Sequence, residues 1–87
     1  MIAVFHRHFD KQYAKLPKSV QRRSEERLAI FMRAPFDPLL NNHALLGHFA
    51  GYRSIGVIGD VRAIYKSLNE NTVEFALIGT HHELYGK

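Results

Sequence analysis

The hydrophobic positions in the first third of the chain follow a helical period after one short apolar run. Residues 2–6 are mostly β-branched and aromatic, which predicts a first strand. From Phe9 onward, apolar residues recur at i, i+4 and i+7, and Pro17 ends this first helix because it cannot donate the next backbone hydrogen bond. Residues 18–33 are rich in good helix formers and predict a second, longer helix. The two helices are expected to form a hairpin.

After a loop at residues 34–42, which is rich in Pro and Asn, the apolar positions change to short runs typical of strands. Gly59-Asp60 is a tight hairpin signal, and residues 69–72 supply a second turn. Two tight hairpins in succession predict an antiparallel meander. Its three predicted strands are residues 48–58, 61–68 and 73–78.

The predicted element order is β-α-α-β-β-β, in one small α+β domain that spans residues 1–87. The amphipathic helices must cover one face of an antiparallel sheet, which leaves the other face partly open. Neither half of so short a chain could bury a core alone. At the end of the chain, Thr80 and Glu83 have the spacing of a capping box, which predicts a terminal helical turn.

Composition adds a charge argument to this fold. The formal net charge is +4 and the isoelectric point is about 9.7, which favours a polyanionic partner such as RNA or an acidic protein segment. The sequence contains no cysteine, which excludes disulfides and zinc–thiolate sites. No apolar run has the length of a signal peptide or a membrane span. We expect a soluble, cytoplasmic protein that has no contact with a membrane.

Several groups suited to acid–base chemistry lie at or beside the ends of the predicted strands. Histidine can act as an acid or a base near neutral pH, and an arginine can stabilise the charge that develops on a reacting phosphate. Such a set could catalyse attack of an RNA 2′-hydroxyl on the adjacent phosphate. No metal-ligand spacing stands out, so we expect no metal and no cofactor. The candidate residues are His43, Asp60, Arg62, His81 and Tyr85.

Each of these residues also has a purely structural explanation. His43 suits an exposed loop, and Asp60 is a common residue of a Gly-Asp turn. Arg62 suits a solvated strand position, His81 follows the Thr80 cap, and Tyr85 could close the core. Spacing alone therefore leaves both readings open.

Three motifs, taken together, resemble the RelE/ParE toxin superfamily, and most closely its YafQ-like branch. They are His43-Ala-Leu-Leu-Gly, the strands Gly51-Tyr-Arg and Gly59-Asp-Val-Arg-Ala-Ile-Tyr-Lys, and the terminal Ile78-Gly-Thr-His-His-Glu-Leu-Tyr. They occur in the family's order, and the resemblance covers most of the chain. It implies the toxin of a type II toxin–antitoxin module, a ribosome-dependent endoribonuclease that cleaves mRNA and inhibits translation. Its implied partners are a cognate antitoxin, the ribosome and mRNA.

The resemblance also implies a role for each matching position. His43 and His81 would share the acid and base roles, and Asp60 would orient or activate one of them. Arg62 would stabilise transition-state charge, and Tyr85 would stack on or position the nucleotide.

The chain departs from the family pattern at positions that commonly carry basic groups. YafQ-like proteins commonly have a histidine where this chain has Gly56 and an arginine where it has Leu77. The lysines of the RelE branch correspond to Ser54 and Gly56. Other residues could take over RNA binding, and the candidates are Tyr52, Arg53 and His82.

Two other functions fit the same fold. A ParE-like toxin would bind DNA gyrase and cleave no RNA, and a catalytically decayed module would keep only its affinity for the antitoxin. The histidines in the loop and at the end of the chain favour the endoribonuclease.

Overall fold

The computed structural model describes residues 1–86, in which one sheet carries a pair of helices on one face. The strands and helices, in chain order, are β1 (Ile2–Phe5), α1 (Arg7–Ala14), α2 (Lys18–Arg33), β2 (His43–Ala44), β3 (Arg53–Ile58), β4 (Val61–Asn69), β5 (Thr72–Thr80) and α3 (His81–Tyr85). The predicted element order and the terminal helical turn, which is α3, are confirmed, and β2 is a short addition.

The strand order across the sheet is β1-β5-β4-β3-β2. The predicted antiparallel meander is confirmed, because β3, β4 and β5 pair antiparallel in succession. The first strand differs, since β1 pairs parallel to β5 and makes the sheet mixed at that edge. Packing explains this position: the Phe5 and Phe9 rings lie 5.7 and 6.0 Å from the Phe75 ring, so β1 and α1 close over the same apolar strand.

The second predicted strand, residues 48–58, begins later in the structure than expected. Gly47–Phe49 form a 3-10 turn instead of strand, and β3 begins only at Arg53. Gly47 and Gly51 have φ angles of 64° and 94°, which an extended strand does not allow. The segment before this turn is more regular than expected, because His43–Ala44 pair with β3 as a two-residue strand.

The core lies between the helix pair and the sheet, and aromatic rings fill its centre. Phe31 of α2 packs edge-on against Tyr65 and Phe75, at centroid distances of 4.8 and 5.2 Å. Ala63 belongs to this core, so Arg62, its neighbour on β4, points to the opposite, partly open face of the sheet. Ile64 on that face is also fully buried, which anchors β4 from both sides.

Candidate active site

A cavity of about 250 Å³ opens on the face of the sheet opposite the helices. Its lining contains four of the five predicted catalytic residues, from β2, β4 and α3. The complete lining is His43, Leu45, Arg62, His81 and Tyr85. Antiparallel pairing places the start of β4 beside the end of β5, so residues 19 positions apart in sequence meet at one end of these two strands.

Arg62 is the most firmly held cation of this cavity. Its Nε donates to Oγ of Ser54 at 2.7 Å, and its Nη2 donates to the backbone oxygen of Asn41 at 3.1 Å. Burial lowers the pKa of the Arg62 guanidinium, and the nearby Tyr85 opposes that shift. An arginine keeps its charge in proteins even so. The site therefore contains a fixed, partly desolvated positive charge.

His43 lies beside this arginine in a geometry that favours one tautomer. Its Nδ1 is 3.0 Å from the backbone oxygen of Asn41 and 3.3 Å from Nη2 of Arg62. A carbonyl only accepts and a guanidinium only donates, so a neutral Nδ1 can satisfy one neighbour but not both. The shorter contact favours a proton on Nδ1, which leaves the lone pair of Nε2 free to accept a proton.

The backbone of Asn41 makes this contact possible. Its φ of 46° is in the left-handed region, which Asn tolerates better than most residues. Its carbonyl oxygen thereby meets both the His43 ring and the Arg62 guanidinium.

His81 and Tyr85 are presented by α3, whose start is fixed by the predicted capping box. Oγ1 of Thr80 accepts from the Glu83 N–H at 3.1 Å, and Oε1 of Glu83 accepts from the Thr80 N–H at 2.7 Å. His81 and Tyr85 are one helical turn apart, and their ring centroids are separated by 4.5 Å.

Asp60 lies in the β3–β4 turn, outside the cavity. Its backbone oxygen accepts from the His81 N–H at 3.0 Å, which ties this turn to the start of α3. The predicted carboxylate contact with a histidine is not formed, since the Asp60 carboxylate has no hydrogen-bond partner within residues 1–86. Its observed contribution to the site is through the backbone.

The three predicted RNA-binding residues lie in different places. Tyr52 is on the open face and lines a neighbouring cavity of about 380 Å³. Arg53 is on the side of the helices, where its guanidinium carbon lies 5.1 Å from the centre of the Phe36 ring. His82 is exposed on α3 and is not among the residues that line the active-site cavity. None of the three lines the candidate cavity, and Tyr52 lines a cavity on the same face of the sheet.

Sequence reasoning missed two residues that hold the site together. Ser54 is fully buried and is the main partner of Arg62, and Asn41 supplies the shared carbonyl. A signal for Asn41 was present, because Asn at a loop end favours left-handed backbone. For Ser54, the sequence signal was only that it lies two residues from Gly56 and therefore on the same face of the strand.

Residues 1–86 contain no group of three or more His, Asp or Glu side chains arranged to hold a metal ion. Over the same range, each helix is too short or too polar to cross a bilayer.

No protein-family model matches the sequence, and a comparison with curated protein sequences gives no match. Solved structures do match. The crystal structure of YafQ from E. coli strain BL21(DE3) superposes with a TM-score of 0.82 over 97% of each chain, at 23% sequence identity. The chain has the YafQ fold. This confirms the fold expected from the three sequence motifs.

Two further structures share the YafQ fold. YafQ in the E. coli DinJ–YafQ toxin–antitoxin complex matches with a TM-score of 0.79 and 24% identity, over 97% of this chain and 96% of that one. A YoeB/ParE toxin from Agrobacterium tumefaciens matches with a TM-score of 0.77 and 21% identity, over 93% of this chain and 99% of that one. Identities this low establish the fold, and the function must be argued from the site.

Proposed function

We propose that this protein is the toxin of a type II toxin–antitoxin module and that it acts as a ribosome-dependent, metal-independent endoribonuclease on mRNA. One observation carries the proposal. His43, Arg62 and His81 surround a single open cavity on a YafQ fold, and these are the groups that cleavage of RNA by its own 2′-hydroxyl requires.

The chemistry assigns different roles to the two histidines. Nε2 of His43, free in the favoured tautomer, takes the proton of the 2′-hydroxyl as its oxygen attacks the neighbouring phosphorus. His81, as imidazolium, gives a proton to the departing 5′-oxygen. The new 2′-O–P bond and the broken P–O5′ bond yield a 2′,3′-cyclic phosphate and a free 5′-hydroxyl. No metal or external co-reactant is needed for this balance.

Arg62 would stabilise the charge on the reacting phosphate, and Tyr85 would contact the RNA base. The guanidinium side chain lines the cavity while Ser54 holds its Nε, so its charge is positioned before the substrate binds. Fixed donors of this kind contribute about 10²–10³ in rate. Tyr85 offers an aromatic face for an unpaired base, as recognition of single-stranded RNA commonly requires. Asp60 would position His81 through its backbone oxygen.

The proposed partners follow from the same assignment. YafQ has been solved in a toxin–antitoxin complex with DinJ, so we propose that an antitoxin binds and neutralises this chain as well. The ribosome would present the mRNA, and the protein would act in the cytoplasm. The net charge of +4 suits both polyanionic RNA and an acidic antitoxin segment.

The proposal is tested by tightly controlled expression, followed by mapping of mRNA 5′ ends. Wild-type protein is expected to arrest growth and produce new ends within translated codons. His43→Ala and His81→Ala should each lower cleavage by about 10²–10⁴. His82→Ala is the matched control, because it removes an adjacent exposed histidine outside the cavity, and its loss should be much smaller.

Three other outcomes would each contradict a part of the proposal. Cleavage that persists in the His43→Ala/His81→Ala double variant would show that these histidines are not the acid and base. Growth arrest with a DNA-damage response and intact mRNA would instead support a ParE-like toxin that acts on DNA gyrase. Normal growth together with retained antitoxin binding would indicate a decayed module.

A further inference from the structure

A second cavity, of about 380 Å³, lies on the same open face and shares no lining residue with the active-site cavity. Arg62 and Lys66 are four residues apart on β4, so they point to the same face about 13 Å from each other. The Phe49 ring lies between the two cavities, with its centroid 5.6 Å from Tyr85 of the first and 6.1 Å from Tyr52 of the second. The two cavities are therefore neighbours on one face of the sheet, with an aromatic ring between them.

We propose that this second cavity binds the RNA base that neighbours the cleaved bond, and that Glu74 selects a base with an exocyclic amino group. The inference rests on the proposed endoribonuclease function and gives it a source of base preference. The residues that carry it are His48, Phe49, Tyr52, Lys66 and Glu74.

Stacking and charge both suit single-stranded nucleic acid. Phe49 and Tyr52 provide aromatic surface, and the Lys66 ammonium lies 5.3 Å from the centre of the Tyr52 ring. The imidazole ring of His48 lies beside them, with its centroid 5.1 Å from that of Phe49. Aromatic platforms beside a basic groove are the usual means of binding unpaired bases.

Glu74 is the carboxylate in a lining that also contains Lys66 and three histidines, and its position suits base recognition. It is the direct cross-strand partner of Lys66 on β4, yet within residues 1–86 the two side chains form no ion pair. The lysine instead lies over Tyr52, which leaves the carboxylate oxygens able to accept hydrogen bonds from a ligand.

The chemistry of the carboxylate defines the preferred base. An ionised carboxylate only accepts hydrogen bonds, so it binds the N4 amino group of cytosine and is repelled by the O4 oxygen of uracil. The two pyrimidines have rings of equal size and stack in the same way on Tyr52. A preference between them therefore reports on Glu74.

The test is an NMR titration of the wild-type protein with a 2′-deoxycytidine trinucleotide and with its 2′-deoxyuridine counterpart. Neither can be cleaved through a 2′-hydroxyl, so binding is measured apart from catalysis. Resonances of Tyr52, Lys66 and Glu74 should shift, and the cytidine probe should bind at least about fivefold more tightly. Glu74→Gln should bring the ratio close to one, because an amide can both donate and accept.

Glu70→Gln is the matched control, since Glu70 is exposed in the β4–β5 turn, and it should retain the preference. Tyr52→Leu should weaken the binding of both probes, and Tyr52→Phe should restore their binding. Equal binding of the two probes, or shifts confined to His43 and His81, would overturn the inference. Mapping of mRNA ends with wild-type protein reports separately on the endoribonuclease, so a failure of either proposal is recognised on its own.

Discussion

The guanidinium of Arg62 fills the space beside Gly56, its cross-strand partner on β3. A Cβ atom added at Gly56 would lie 3.2 Å from Nη1 of Arg62 and 3.6 Å from the backbone oxygen of Leu40. YafQ-like proteins commonly carry a histidine at this position, according to the resemblance noted above. In this chain the missing side chain leaves room for an arginine from the neighbouring strand, so a basic group is still present there.

Gly56→Ala should therefore lower activity without destabilising the fold. The added methyl group crowds Nη1 of Arg62 and moves the guanidinium away from Ser54 and Asn41. Alanine also reduces the conformational freedom of the unfolded chain, which offsets the crowding. The free energy of unfolding should therefore change by less than about 1 kcal/mol. We expect the rate of mRNA cleavage to fall by about tenfold or more. Chemical denaturation of the same variant measures its stability.

A double-mutant cycle shows whether Gly56 acts through Arg62. Arg62→Ala alone should reduce cleavage by about 10²–10³, as expected for loss of a charged donor. If the two residues act as one unit, Gly56→Ala should cause no further loss in the Arg62→Ala background. Multiplicative losses would contradict the coupling.

Ser54→Ala should loosen Arg62 while leaving its charge in place. The Ser54 hydroxyl is fully buried and accepts from Nε of Arg62, so its removal leaves a partly buried donor without its main partner. We expect a loss of about 1 kcal/mol in the free energy of unfolding and a fall in cleavage smaller than that of Arg62→Ala. Ser67→Ala, at an exposed position on β4, should change neither quantity. Equal behaviour of the two serine variants would argue against this role.

Thr80→Ala tests whether the cap of α3 orients the proposed catalytic groups. Loss of the hydroxyl removes one of the two reciprocal hydrogen bonds of the capping box and should cost about 1 kcal/mol of stability. Because α3 carries both His81 and Tyr85, cleavage should fall even where the protein remains fully folded. Thr80→Ser, which keeps the capping oxygen, should restore both properties. Unchanged cleavage in a folded Thr80→Ala protein would separate the cap from catalysis.

The local signals in the sequence predicted most of the fold. Residues 18–33 form a helix with the predicted limits, because the signals for it are local: Pro17 precedes it and a run of good helix formers fills it. The pairing of Phe5 with Phe75 depends instead on contacts seventy positions apart, and no local period reports it. For this reason the parallel edge of the sheet was not predicted.

Four of the five residues expected at the candidate site come together, but their geometry was not predicted from the sequence. Four of its residues converge because tight hairpins bring strand ends together, a consequence of topology alone. The face on which each side chain lies required the paired strands: Arg53 alternates with Ser54 and shares the helix-covered face with the buried Ile55, so it points away from Arg62. The shared space of Gly56 and Arg62 likewise becomes visible only once the strands are paired.

Tyr13 gives a prediction about stability away from the site. Its hydroxyl donates to Oε2 of Glu25 at 2.8 Å and joins α1 to α2. Burial raises the pKa of Tyr13 above its usual value of 10.0, and the hydrogen bond and charge of Glu25 add to the shift. The folded state thus favours the neutral phenol. The stabilising contribution is complete below pH 10, the usual value in the unfolded chain, and is lost as the pH rises through the folded-state pKa.

Tyr13→Phe removes this titration together with the hydrogen bond. At neutral pH the variant should be less stable by about 0.5 kcal/mol, because the pair is open to solvent. Between pH 9 and pH 11, about one unit on either side of the usual tyrosine pKa, wild-type stability should fall more steeply than that of the variant, so the two curves converge. Denaturation curves across this range measure the effect. Parallel curves would show that Tyr13 titrates alike in both states, because only a pKa that differs between the folded and unfolded chains changes the slope.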